Sequence, residues 1–133
     1  MVRWSNNAEV VLASSSCPDH PPESTLDGAP ETFWLSTGMF PQTLLFQLPD
    51  ATCVKSMLIE SDGVKQLSVH GSVDPDFSKF IKLGSYQSSS RKAGAESRIE
   101  VKLEKGNSVK FVQLRFEAAS EPFIAVHKVN FEL

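Results

Sequence analysis

Apolar and polar side chains take turns along most of this chain, and that alternation constrains the fold more than any other feature. Gln42 to Leu48 places Leu44, Phe46 and Leu48 on one side and polar groups on the other. Arg98 to Glu104 sets Ile99, Val101 and Leu103 against Glu100, Lys102 and Glu104. Val109 to Ala118 does the same, with Val112, Leu114 and Phe116 opposed to Gln113, Arg115 and Glu117. Val54 to Glu60, Gln66 to Gly71 and Ala125 to Leu133 carry shorter versions, through Leu58 and Ile59, Leu67 and Val69, and Val129 and Phe131. A period of two is the strand period, and one apolar face per strand is what an antiparallel sheet with one wet side requires.

Turn residues separate these runs: Pro49-Asp50, Asp62-Gly63, Asp74-Pro75-Asp76 and Lys105-Gly106-Asn107. The last is a tight hairpin candidate. No window supports an amphipathic helix. Single helical turns are expected only after Asp76 and over Pro22 to Leu26. Ser85 to Glu96 is small and polar and is expected to be a loop. About eight short antiparallel strands in 133 residues predict one all-β domain over 1–133, a β-sandwich or jelly roll.

A net charge of −3 gives no reason to expect a nucleic-acid partner. No apolar run is long enough to span a membrane, so no membrane insertion is expected. The start, Met1-Val-Arg-Trp-Ser-Asn-Asn, has no signal-peptide pattern, which predicts a cytoplasmic or nuclear protein. Cys17 and Cys53 form neither a disulfide framework nor a zinc motif and are expected to be free thiols.

Catalytic readings find little support. His20, His70 and His127 are far apart in sequence and read as structural or surface histidines, with His127 facing outward. There is no Gly-x-Ser-x-Gly elbow near Ser14-Ser15-Ser16, no base to pair with Cys17, and no glycine loop to cradle phosphate. The chain is not expected to be an enzyme. Met39-Phe40-Pro41, and Phe77, Phe80 and Ile81, put apolar groups in polar loops. They are either a protein-binding patch or a cap over the open sandwich.

The segment His20 to Trp34, "HPPESTLDGAPETFW", is rich in oxygen and stiffened by three prolines. It suits a hard cation: Asp27 offers a carboxylate, Thr32 a hydroxyl and a carbonyl, Gly28 a sharp bend, and Pro30 stiffness. The competing reading is a plain turn at Asp27-Gly28 that feeds Trp34 into the core.

Leu26-Asp-Gly28 followed by Glu31-Thr-Phe-Trp34 resembles the signature of galactose-binding-like jelly rolls, which include the discoidin and factor V/VIII C-type domains. Joined to His20-Pro-Pro-Glu23, Thr37-Gly-Met-Phe-Pro-Gln42 and Ala125-Val-His-Lys-Val129, the pattern is similar to that of the small jelly-roll subunits of intraflagellar transport complex B. The resemblance is strongest over residues 9–48 and 108–132. It implies a non-catalytic binding subunit that pairs with a Rab-like small GTPase and meets other subunits of that complex. The setting it implies is the cilium or flagellum and the cytoplasm near the basal body. It also implies a calcium ion (Ca2+), with the Ser24 carbonyl and the Glu132 carboxylate joining Asp27 and Thr32. The broader family raises a second reading, a carbohydrate-binding module, for which a clear cluster of exposed aromatic, Arg and Asn side chains is missing. A small-heat-shock chaperone would need oligomer-forming arms that the sequence does not show.

Overall fold

The computed structural model describes residues 4–5, 7–15, 19–26, 32–36, 41–74, 76, 79–87, 96–103, 108–119 and 124–132. These form ten strands: β1 (Trp4–Ser5), β2 (Glu9–Ala13), β3 (Trp34–Leu35), β4 (Gln42–Cys53), β5 (Ser56–Asp62), β6 (Val64–Ser72), β7 (Ile81–Gln87), β8 (Glu96–Lys102), β9 (Ser108–Ala119) and β10 (Ala125–Glu132). One 3-10 turn, Pro22–Leu26, lies between β2 and β3.

The strands build two antiparallel sheets. The first runs β1-β10-β5-β8, with β3 also on β10. The second runs β2-β4-β9-β6-β7. Their inner faces enclose one core, in which Trp34, Leu44, Phe46, Met57, Ile59, Leu67, Val69, Leu114, Phe116, Val129 and Phe131 are all fully buried. The fold is the expected all-β jelly-roll sandwich, and the alternation that predicted it recurs in the burial of Leu44, Phe46 and Leu48 on β4 and of Val112, Leu114 and Phe116 on β9.

Several details differ from the sequence expectation. Pro49-Asp50 does not end a strand. β4 continues to Cys53, and the irregularity is a break in register: Gln47 faces Phe111 but Thr52 faces Val109. Proline is tolerated in a strand at such a bulge because no ladder bond is asked of its nitrogen. The polar stretch from Ser85 begins as strand, since Ser85, Tyr86 and Gln87 pair with Ser68, Leu67 and Gln66. Asp62-Gly63 does join β5 to β6, with Gly63 at a φ of 85°, a conformation that L side chains rarely adopt. After Asp76, the Lys79 amide donates to the Asp76 carbonyl at 3.0 Å, a single turn as expected. The proposed Lys105-Gly106-Asn107 hairpin lies outside the described residues.

The two sheets close on each other at β7 and β8. A Cβ added at Gly84 would lie 2.8 Å from the Lys102 carbonyl oxygen and 3.1 Å from the Val101 and Leu103 side chains. The outer faces contrast in character. On the first sheet Lys128, Glu60 and Arg98 face one another across three strands, as do Glu132, Ser56 and Lys102. On the second, Leu45 and Phe111 point away from the core cluster yet are only 5% and 9% exposed.

Candidate functional site

One end of the sandwich gathers the segments that sequence reading singled out. The 3-10 turn is closed by the Ser24 amide donating to the Pro21 carbonyl at 3.1 Å and by the Thr25 hydroxyl donating to the Pro22 carbonyl at 2.8 Å. Ser24 and Thr25 are both buried. The turn packs against β2, β3 and β10. The Leu35 amide donates to the His20 carbonyl at 3.3 Å, which ties the start of the loop to its end.

Trp34 plugs this end of the core, as expected. It is fully buried, its ring centroid lies 5.9 Å from that of Phe116, and its indole N–H donates to the Ser15 carbonyl at 3.0 Å. A buried indole needs such an acceptor. Ser36 is tied to the residue before β10: its amide donates to the Ile124 carbonyl at 3.0 Å and its hydroxyl accepts from the Ile124 amide at 2.9 Å. The hydroxyls of Ser14 and Ser15 each donate to Gln42 Oε1 at 2.6 Å, and Ser14 Oγ accepts from the Thr43 amide at 2.8 Å. This polar latch was not foreseen as a unit. Ser14 and Gln42 are distant in sequence, and only strand pairing brings them together.

A ring stack flanks the turn. His20 lies flat on Phe33, centroids 4.1 Å apart and planes at 15°, and His127 meets the same Phe33 ring at 5.3 Å. His127 lies outside the core, as expected, and is half-buried with Phe33 packed on it. His70 sits on the outer face of the second sheet, its Nε2 within 3.1 Å of Ser68 Oγ. Burial, helped by the charges of Arg115 and Lys82, lowers its pKa from the ordinary 6.5. Cys53 is an exposed free thiol, while Cys17 lies outside the described residues.

The four expected metal ligands divide unequally. Ser24 is in the 3-10 turn, and Thr32, half-buried, enters β3 two residues before Trp34. These two lie on segments that pack on each other and on β10. Asp27 falls outside the described residues, as do Gly28, Pro30 and Glu31. Glu132 is placed elsewhere. β3 pairs with Ala125 and Val126, whereas Glu132 pairs with Trp4 and Ser56 at the other end of β10, about 20 Å along the strand. There its carboxylate accepts from the Ser56 hydroxyl at 2.7 Å and its carbonyl from the Lys55 amide at 2.8 Å. The register therefore does not bring Glu132 to the Thr32 segment. The donors that remain, Ser24, Asp27 and Thr32, offer only oxygen, the ligand type a calcium ion takes. Among the described residues no three His, Cys, Asp or Glu side chains cluster as a metal site. Of the apolar loop residues, Phe80 is half-buried and Ile81 exposed; Met39, Phe40 and Phe77 lie outside the described residues.

No protein-family model matches the chain. It is 32% identical over 131 residues to the intraflagellar transport protein 25 homolog of Homo sapiens, covering 96% of this chain and 88% of that protein. The Mus musculus homolog is also 32% identical, over 93% of this chain and 85% of its own length. The Chlamydomonas reinhardtii intraflagellar transport protein 25 is 42% identical over 67 residues, half of this chain and 35% of that protein. Among solved structures, the family 32 carbohydrate-binding module of Clostridium perfringens NanJ, in complex with galactose, superposes with a TM-score of 0.80 over 98% of this chain and all of that chain, at 14% identity. A chitosan-binding module from Paenibacillus sp. IK-5 gives 0.76 over 94% of each chain, at 16% identity. At such identities the likeness is one of fold.

Proposed function

Because the chain belongs to the intraflagellar transport protein 25 family, we propose that it is a subunit of intraflagellar transport complex B that pairs with a Rab-like small GTPase and serves cargo traffic in the cilium or flagellum. Its role is non-catalytic, in keeping with relatives named as transport proteins. The observation that carries this reading is relatedness along nearly the whole chain rather than at one motif. The sandwich is a plate, with long hydrogen-bonded ladders on both sides of one core. Such a plate suits a part that is held and that holds others.

A calcium ion would fasten the loop end of this plate. The Ser24 carbonyl, the Asp27 carboxylate and the Thr32 hydroxyl and carbonyl would hold it, and the ion would supply positive charge that draws loop oxygens together. The packing of the 3-10 turn and β3 on each other and on β10 supports this, since the two described ligands then sit on prebuilt supports. With a single carboxylate among its ligands the site would be structural rather than a sensor.

Affinity purification of the tagged chain from ciliated cells tests the functional reading. Recovery of a small GTPase together with other transport-complex subunits is the expected result. Their absence, with specific binding on a glycan array, would replace the reading with a carbohydrate-binding one.

A further inference from the structure

Strand β2 turns two consecutive apolar residues to solvent. Ala8, Val10 and Ala13 pack against the core, while the consecutive residues Val11 and Leu12 are 49% and 47% exposed. The ladder with β4 supplies the reason. Val10 faces Phe46 and Leu12 faces Leu45, so Val11 is an extra residue with no opposite number. A bulge of this kind re-aims side chains, and here two neighbouring apolar groups reach solvent beside Leu45.

Among the described residues β2 is also the outermost strand of its sheet. Of the features that guard an edge against pairing it has the bulge and the 3-10 turn packed beside it, but neither lysine nor proline. The opposite edge, β7, lies against β8 instead. Where β2 begins, Ala8, Val10 and Leu26 floor a groove of about 360 Å³, and the exposed residues Glu9 and Glu23 line it.

We propose that the β2 edge receives an extended segment of a partner chain as an added strand, with a Lys or Arg of that segment in the groove between Glu9 and Glu23 and an apolar side chain on Val11 and Leu12. The backbone of an edge strand supplies the hydrogen bonds. A long basic side chain matches the groove because its stem is apolar and its head is a cation, which meets an apolar floor and two carboxylates. The basic and apolar positions of the segment stand about two residues apart, the spacing of side chains on one face of a strand. A second copy of this chain is a poorer occupant. The only charged residue of β2 is Glu9, so two β2 strands laid together bring no cation to either groove. The outer face of the first sheet, with its lattice of charges, is also less suited to docking, because interface cores are depleted in charge. The proposal goes beyond the function given above and depends on neither the GTPase nor the calcium ion.

The test is a nuclear magnetic resonance titration of the whole labelled chain with the capped peptide Thr-Lys-Thr-Val-Thr-Val-Thr and with its twin carrying Glu in place of Lys. Saturable shifts confined to Ala8–Ala13 and the groove are expected. The twin should bind about tenfold more weakly, the size of one charge-assisted hydrogen bond. In the double variant Glu9→Lys/Glu23→Lys the preference should invert, with an unchanged spectrum elsewhere as the control for folding. Equal affinity for the two peptides, no saturable binding, shifts centred on β7, or concentration-dependent self-association through β2 would each overturn the proposal.

Discussion

Ser36 and His70 illustrate how single side chains hold this sandwich. The Ser36 hydroxyl is the acceptor for a buried amide, that of Ile124, the residue just before β10. Replacing it by Ala leaves that donor without its partner, and stranding a buried donor costs about 1–3 kcal/mol. Urea unfolding of Ser36→Ala should show a loss of that size, while Ser36→Thr, which keeps the oxygen, should lose less. His70 acts through pH. Its pKa is lower in the folded chain than the ordinary 6.5, so the unfolded chain takes up its proton first as pH falls. The stability contributed by neutral His70 is full above pH 6.5 and declines as pH drops below it toward the folded-state pKa. His70→Gln should flatten that part of the stability profile just below pH 6.5, leaving the carboxylate-driven part at lower pH in place. A profile unchanged by the substitution would mean that His70 is not the titrating group.

At the scale of elements, what was legible in the sequence followed from local periodicity. β4, β8, β9 and β10 announce themselves by alternation because each has one face in the core. β2 does not, since its bulge at Val11 turns Val-Val-Leu into a run without a period. Nor does β7, whose Ser85-Tyr86-Gln87 end reads as loop until its pairing with β6 is known. The candidate site divides along the same line. Trp34 as a plug was readable from its type and surroundings, and the nearness of the Ser24 and Thr32 segments from the short loop that joins them. The position of Glu132 was not readable, because which end of β10 meets β3 is a question of register between Leu35 and Ala125, far apart in the chain. Register also explains why Gly84 is glycine: β7 passes so near β8 that a side chain would strike the Lys102 backbone carbonyl. Gly84→Val should therefore destabilise by about 1–3 kcal/mol, the cost of overpacking, in guanidinium unfolding. Gly84→Ala should show a smaller loss of the same sign.

For the molecule as a whole, the proposed function joins the sandwich to a loop end that calcium would fasten and to a small-GTPase partner. The metal part makes a prediction by linkage, since an ion bound only by the folded loop stabilises by about 2.7 kcal/mol at a hundredfold excess over Kd. Wild-type chain should melt higher in calcium than in chelator, and Asp27→Ala should melt alike in both. Thr32→Val should keep part of the calcium effect, because its carbonyl remains. A deficit in Asp27→Ala that is the same with and without calcium would leave His20 to Trp34 as a stiff turn and nothing more. The partner is the centre of the account, and light scattering behind gel filtration tests it most directly. The chain is run alone, then mixed at micromolar concentration with the Rab-like small GTPase of the same complex. The chain alone should have the mass of a monomer, and the mixture should give a peak with the summed mass of one copy of each. Two separate peaks at their individual masses would contradict it.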